Sequence, residues 1–309
     1  MNVPGASATY DAIKTGTLQA GFVIDSSITE KAKADKNVAN QSLAIAGNLI
    51  IMNSGIEVTC AGGQPAVHCA GKAEGEKVKT KTATSDIRVR KAVVAAVDPK
   101  VINDRVYQGT AKPNSSPFAN SPWDPKVEGP KADTAEAKKL VNEAKAAGWD
   151  GKIRLGAANT AEATSWAEAV RLQLTAAGMD VTVDTGKDTA GLVNQVLTLR
   201  DFDLASWGLA MLDDVDAVYT AMLASFNSKT LRYGFGNAEF DAATELLRVA
   251  DTDPKRIDAY KKLSEIWIRD APAAVMTALP QGWVHSPKLH GVQRTAYTSY
   301  LLDKAWLEK

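Results

Sequence analysis

The side chains with the most obvious chemical capacity are acids. Asp213-Asp214-x-Asp216 sets three carboxylates close together, just beyond a candidate strand that ends at Trp207. Paired acids can work as general acid and base or hold a cation. The competing reading is helix capping, because Asp in a first turn complements the helix dipole, and capping leads. Asp201-x-Asp203 straddles a helix end and a strand start and reads as solvated. Arg88, Arg90 and Lys91 can grip an anion, but an exposed helix face is the favoured reading. The chain has 3 His, so it offers little material for a general base near neutral pH. It holds no Gly-x-Ser-x-Gly elbow, no phosphate loop and no His-Glu-x-x-His. Gly234-Phe235-Gly236-Asn237 lacks the third Gly of a dinucleotide fingerprint and reads as a turn. No catalytic residue is assigned, and neither a cofactor nor a metal is expected.

Cys60 and Cys69 bracket a segment rich in Gly, Pro and small residues. Such a pair suggests a disulfide closing a short loop, hence an oxidising compartment. Free thiols are the next reading. A metal site comes last, because structural zinc needs about four ligands and beyond His68 the remaining His are His285 and His290. A different kind of candidate is Ser206-Trp-Gly-Leu-Ala-Met-Leu212. Here a Trp and a Gly leave the carboxyl end of a strand, where open α/β sheets bind ligands. Trp207 can stack on a ligand, and Gly208 permits close backbone approach. A core role for Trp207 is nearly as well supported.

These residues need elements to hold them. The chain has 309 residues, enough for about two domains. It balances 36 basic against 36 acidic side chains, which argues against nucleic acid and against docking on an anionic membrane. No apolar run reaches the length of a bilayer span. The start, Met1-Asn2-Val3-Pro4-Gly5, lacks the basic start and apolar run of a secretory signal, so the chain reads as soluble, with a mature or trimmed piece of an exported protein as the alternative. All 7 Trp and every Arg lie beyond residue 85, and Tyr10 and Phe22 are the aromatics before it. The first quarter is therefore expected to pack with small residues or to lean on something upstream.

Helices are expected over 8–20, 27–38, 86–97, 98–109, 133–147, 161–177, 188–199, 214–223, 238–249 and 254–268, several with Asp or Asn at the start. Strands are expected over 21–24, within 42–53, and over 153–156, 181–183, 202–205, 273–279 and 283–285. Residues 54–84 read as loop. Pro113, Pro117, Pro122, Pro125 and Pro130 make 110–131 an extended crossing segment. From 133 onward strand and helix alternate, which means an α/β unit with crossover connections.

In their order these segments resemble the extracellular solute-binding proteins of family 5, the peptide/nickel/oligopeptide type that serves ABC importers. The most specific stretch is Asp86-Ile-Arg-Val-Arg-Lys-Ala-Val-Val-Ala-Ala-Val-Asp98-Pro-Lys-Val-Ile102, followed by Gly109. Tyr10 to Phe22, Leu140 to Gly148, Asp201 to Gly208 and Arg256 to Pro272 follow the family in the same order. The resemblance covers the family's C-terminal part, so the chain is expected to be a truncated product or an excised piece of a longer protein.

The resemblance implies a periplasmic-binding-protein-like type II fold with two α/β lobes. Residues 1–112 would form a partial first lobe including the disulfide loop. Residues 113–132 would cross, 133–280 would form the second lobe, and 281–309 would return to the first. Hinges would lie around Pro113–Pro130 and near Gln281. Trp207, Gly208, Met211, Asp213 and Tyr233 become candidate ligand contacts. The implied partners are a peptide or similar small solute and an ABC permease, with no nucleic acid and no covalent chemistry. The implied protein is a monomer outside the cytoplasm, in the cell envelope or periplasm, with a lipid anchor as an option in the full-length form. Two departures stand out. Peptide binders of the family often carry an Asp three residues after the Trp, where this chain has Ala210, and the family's acidic turn reads Gly16-Thr17-Leu18-Gln19. The rival readings are an interaction module that holds no ligand and a hydrolase using Asp213 and Asp214.

Overall fold

The computed structural model describes residues 5–23, 25–44, 48–119, 121–209, 215–278, 280–294 and 300–309. The chain opens with α1 (Ala6–Lys14), β1 (Ala20–Val23), α2 (Ser26–Ala34) and β2 (Ala39–Ala44), then enters β3 (Asn48–Met52). A small excursion follows, made of β4 (Glu57–Thr59), α3 (Ala66–Cys69) and β5 (Lys77–Lys79). Next come α4 (Ile87–Ala96), α5 (Pro99–Val106), the two-residue β6 (Lys112–Pro113) and α6 (Thr134–Ala146). The alternating stretch is β7 (Lys152–Ala158), α7 (Ala161–Ala176), β8 (Asp180–Lys187), α8 (Thr189–Asn194) and β9 (Leu204–Gly208). Helices α9 (Val215–Phe226), α10 (Ala238–Val249) and α11 (Asp253–Asp270) precede β10 (Ala273–Ala278) and β11 (Pro280–His285).

Local chemistry sets the helix starts. The Asp86 carboxylate accepts from Arg88 N–H, Asp98 from Lys100 N–H with Pro99 in the first turn, and Asn237 from Phe240 N–H. Each satisfies a donor that the first helical turn leaves unpaired. Asp133 accepts from Ala135 and Glu136 N–H, while its own N–H goes to Ala95 O. Glu136 therefore does not close the reciprocal half of a capping box. The helix expected over 188–199 changes to a wider, π-type turn at Gln195–Leu199 and stops at Arg200, whose φ is 55°.

Two sheets organise the chain. The larger runs β6-β10-β3-β9-β7-β8, and the smaller runs β1-β11-β2. β7 is parallel to both β8 and β9, as crossover connections require, whereas β3 is antiparallel to β9 and to β10. Alternation along β3 divides the main core in two. Ile50 and Met52 face α4–α7, joining Val89, Val93, Val141, Trp166 and Leu174. Leu49 and Ile51 face α8–α11, joining Phe226, Phe240, Tyr260 and Trp267. The smaller sheet closes its own core with Tyr10, Ile13, Val23, Val38 and Val284. The chain end returns there, where Tyr300 stacks on Trp283 at 4.5 Å.

Several expectations change. Residues 48–112, grouped with the first lobe from sequence, put β3 into the larger sheet and α4 and α5 onto its face. The Pro-rich segment stays on that same unit. Asn114 N–H donates to Met276 O, Phe118 enters the second core, and Trp123 stacks over Tyr260. The aromatic-poor first quarter supplies the aliphatic run Leu49–Met52, fully buried at the centre of the larger sheet. Within 54–84 the structure has a hairpin, β4 paired with β5, stapled by a Cys60–Cys69 disulfide with 5.5 Å between the Cα atoms. Its three-residue strands are too short to show a period in the sequence.

Two charged residues also move indoors. Asp203 is buried. Its carboxylate accepts from Ala83 N–H, Arg154 N–H and Arg154 Nε, at 3.3, 2.9 and 3.3 Å. Arg90 is buried too, and its guanidinium donates to Thr84 O, Ser85 O and Asp270 O. Each side chain ties a loop by bonding to its backbone groups. Asp203→Ala should therefore cost about 3 kcal/mol, because it strands buried donors, read as a lower midpoint in urea unfolding. Joint replacement of Cys60 and Cys69 by Ser should cost about 2–3 kcal/mol, since the disulfide closes a short loop. The intact chain should weigh about two hydrogens less than its reduced form.

Candidate functional site

Strand directions single out one end of the larger sheet. β7 and β9 are parallel, so their carboxyl ends lie together. β3 begins at this end, with Asn48 opposite Gly208 and Leu49 opposite Trp207. β10 finishes here, with Thr277 opposite Asn48. The chain passes from the smaller sheet to the larger between Ala44 and Asn48, and back between Ala278 and Pro280. Both crossings thus leave from the end where open α/β sheets receive ligands.

Trp207 is half-buried on the α8–α11 face of this end. It meets Tyr233 edge-on, with centroids 5.3 Å apart and planes at 63°. Tyr233 in turn meets Phe226 edge-on at 5.5 Å. These tilted contacts hold the Trp207 ring without covering it. The loop that delivers Tyr233 is pinned by Gly234, whose carbonyl accepts from Ser54 N–H and Oγ. The Gly234 φ of 81° puts its Cα where an added Cβ would lie 2.8 Å from Asn53 Cα, so Gly is required. Gly208 is exposed, and a Cβ there would meet nothing within 4 Å. Among the described residues, Gly208 itself therefore faces open space, while Leu209 turns back into the core. Of the residues singled out from sequence, Trp207 and Tyr233 are in ring contact and Gly208 follows Trp207 at the end of β9. Met211 and Asp213, with Ala210 and Asp214, lie outside the described residues. Asp216 sits in the first turn of α9, where it complements the helix dipole.

On the opposite face of the same end lies a cavity of about 220 Å³. Asp25 and Ser27 wall it from the smaller unit, and Tyr107, Gln108, Ala161, Glu162 and Ser165 wall it from the larger. Burial pushes the Glu162 carboxyl above its usual range, and the neighbouring Asp25 charge adds to the rise. Sequence reasoning missed this pair. Asp25 reads locally as the cap of α2, which it is, and Glu162 as a first-turn acid of α7. Only the tertiary fold sets them on either side of one crevice. A larger cavity, about 540 Å³, lies beside the start of β10 between α4, α6 and α11. One unit alone lines it, and Trp207 is not among its walls.

The raised Glu162 pKa has a consequence for stability. A carboxyl shifted upward on folding carries no penalty below the unfolded value, near 4.3. The penalty appears as pH rises through the folded value. Glu162→Gln should therefore raise the melting temperature at pH 7, with the gain shrinking to nothing near pH 4, as read by calorimetry across pH.

A family model for bacterial extracellular solute-binding proteins, family 5, matches residues 1–230. No curated protein matches the sequence. Among solved structures, NikZ from Campylobacter jejuni in complex with Ni(L-His) aligns with a TM-score of 0.69 at 17% identity, covering 93% of this chain and 56% of that one. A dipeptide binding protein from a Pseudoalteromonas species in complex with Met-Leu gives 0.69 at 17% identity, covering 99% and 57%. The substrate binding protein CtaP from Listeria monocytogenes gives 0.68 at 23% identity, covering 97% and 58%. This chain thus spans a little over half the length of the structures it matches, and at these identities the likeness is one of fold: the α/β, two-lobed, type II periplasmic-binding-protein architecture. By the match over most of its length, the chain belongs to the bacterial extracellular solute-binding proteins of family 5.

Proposed function

We propose that this chain is the solute-holding component of an ABC importer, and that it takes a peptide or similar small solute between two α/β units without covalent chemistry. The observation that carries this reading is the coincidence at one sheet end of both crossings, the carboxyl ends of β7 and β9, and the partly uncovered Trp207 ring. On this reading the elements around β1-β11-β2, with residues 286–309, form one lobe. The six-stranded sheet and its helices form the other. Closure then turns on the two crossings, the second of which lies beside the hinge expected at Gln281.

Trp207 supplies a stacking face, Gly208 open backbone, and Tyr233 an edge that orients the Trp. Met211 and Asp213 complete the proposed contact set from the segment that follows. The names of the relatives, with a dipeptide and a nickel–histidine complex as ligands, support a small polar solute. Zero net charge fits a protein that meets its solute through local contacts rather than a long-range field. The Cys60–Cys69 disulfide supports an extracytoplasmic location. Among the described residues no helix is long and apolar enough to cross a membrane. We place the protein as a monomer that presents its closed form to a permease.

A thermal-shift panel of dipeptides, longer peptides and nickel–histidine tests the reading. A true ligand at 100 times its dissociation constant stabilises by about 2.7 kcal/mol, so a clear rise in melting temperature is expected from one class. Trp207→Ala should weaken that ligand about tenfold, the equivalent of about 1.4 kcal/mol. A melting temperature that no class moves would count against the proposal.

A further inference from the structure

The larger of the two cavities takes no part in the proposed solute site. It holds about 540 Å³, within the range of about 300–1,000 Å³ that small-molecule sites occupy. Its origin is visible in the sheet. β6 pairs with β10 at Thr277 and Ala278, so among the described residues the edge of β10 over Ala273–Val275 has no outer strand. Helix α4 supplies walls on one side of that edge and α11 on the other, and the cavity fills the place that a further strand would take. The Pro-rich segment closes it from outside with Ser115 and Pro130. Two passes of that segment meet at Gly129, where an added Cβ would lie 2.3 Å from the Ser115 backbone.

The walls are mostly apolar, with Val94, Val97, Leu140, Trp267, Ile268 and Val275 prominent. Trp267 Nε1 donates to Ala273 O, so the indole leaves the cavity no free donor. Charge enters at the mouth, where Lys91, Lys131 and Asp133 are exposed and Glu136 is half-buried. Both acids are already engaged. Asp133 accepts from the first-turn N–H groups of Ala135 and Glu136, and the Glu136 carboxylate accepts from Lys139 Nζ at 3.4 Å. Lys131 reaches Glu128 at 3.2 Å. Lys91 has no acid partner among the described residues. It precedes Val94 and Ala95 by one turn of α4, so the ammonium and the apolar wall share one helix face. An apolar cavity with one unpaired cation at its mouth is complementary to a molecule with an apolar body and a single negative charge.

We propose that this cavity is a second ligand site, separate from the solute cleft, which takes a monocarboxylate with an apolar chain: the carboxylate pairs with Lys91 and the chain lies along the open edge of β10. The probes are decanoate, held below its micellar concentration, and decanol, a neutral molecule with the same chain length. Isothermal titration of the full chain with decanoate should show one saturable site. Lys91→Gln, a change at an exposed position, should weaken decanoate about threefold, the size of one surface ion pair, and leave decanol as it was. Val94→Trp, which fills the cavity, should abolish the binding of both.

Hydrogen–deuterium exchange with decanoate bound should slow at 91–97, 130–140 and 271–275, the segments around the cavity. Absence of saturable decanoate binding would overturn the proposal. So would a decanoate affinity that Lys91→Gln leaves unchanged, or protection at 205–209 instead, which would put the molecule at the Trp207 end of the sheet. If Val94→Trp does not fold by circular dichroism, the Lys91→Gln comparison and the exchange pattern decide the matter. The site and the transport reading can fail separately. Decanoate binding with no response to any peptide would leave the second site standing and remove the transport reading, and a peptide response without decanoate binding would do the reverse.

Discussion

The structure depends on β3. Its Leu49–Met52 run is buried on both sides, sending alternate side chains into two cores, and its neighbour β10 does the same with Ala274 and Met276 on one side and Ala273 and Val275 on the other. Full burial of each such side chain is worth about 1.5–3 kcal/mol, so this short strand contributes more than its length suggests. It is also the antiparallel insert between β9 and β10 in a sheet otherwise centred on parallel pairs. That orientation has a functional result. It places the start of β3 at the carboxyl ends of β7 and β9, so the chain must arrive from the smaller unit where a ligand would sit.

The opposite end of the sheet is closed by polar side chains acting on backbone. Asp203 and Arg90, both buried, satisfy loop groups around 83–85 and the end of α11. Asn53 does similar work, accepting from Gly55 and Thr80 and donating to Arg200 O. At the other end Trp207 is half-buried, Gly208 is exposed, and a crevice is walled by Asp25 and Glu162. Rigidity at one end and open polar surface at the other is the distribution expected of a site carried on a firm scaffold.

Much of this was legible from residue order, for physical reasons. Helix starts announced themselves because Asp86, Asp98, Asp133 and Asn237 act on backbone donors two or three residues away, a purely local effect. The α/β alternation after 133 was legible because its periods are long enough to repeat. Trp207 was legible as a strand-end aromatic. Other features depend on contacts distant in sequence. Asp203 looks like a solvated acid until Arg154 and Ala83 fold against it. Arg90 reads as an exposed helix residue; two of its carbonyl partners, Thr84 O and Ser85 O, lie just before its own helix, and the turn of α11 at Ala271 brings the third, Asp270 O. The Pro-rich stretch was read as a crossing because prolines exclude regular structure. They do not say which unit an irregular segment lies on, and here Phe118 and Trp123 hold it to one.

The central claim is that solute is held at the carboxyl ends of β7 and β9. Hydrogen–deuterium exchange, compared with and without a solute that raises the melting temperature, tests it most directly. The account calls for slowed exchange at 158–162, 205–209 and 25–28, the segments that meet at that end from both units. Protection confined instead to 91–97, 130–140 and 271–275, around the larger cavity on one unit, would contradict it.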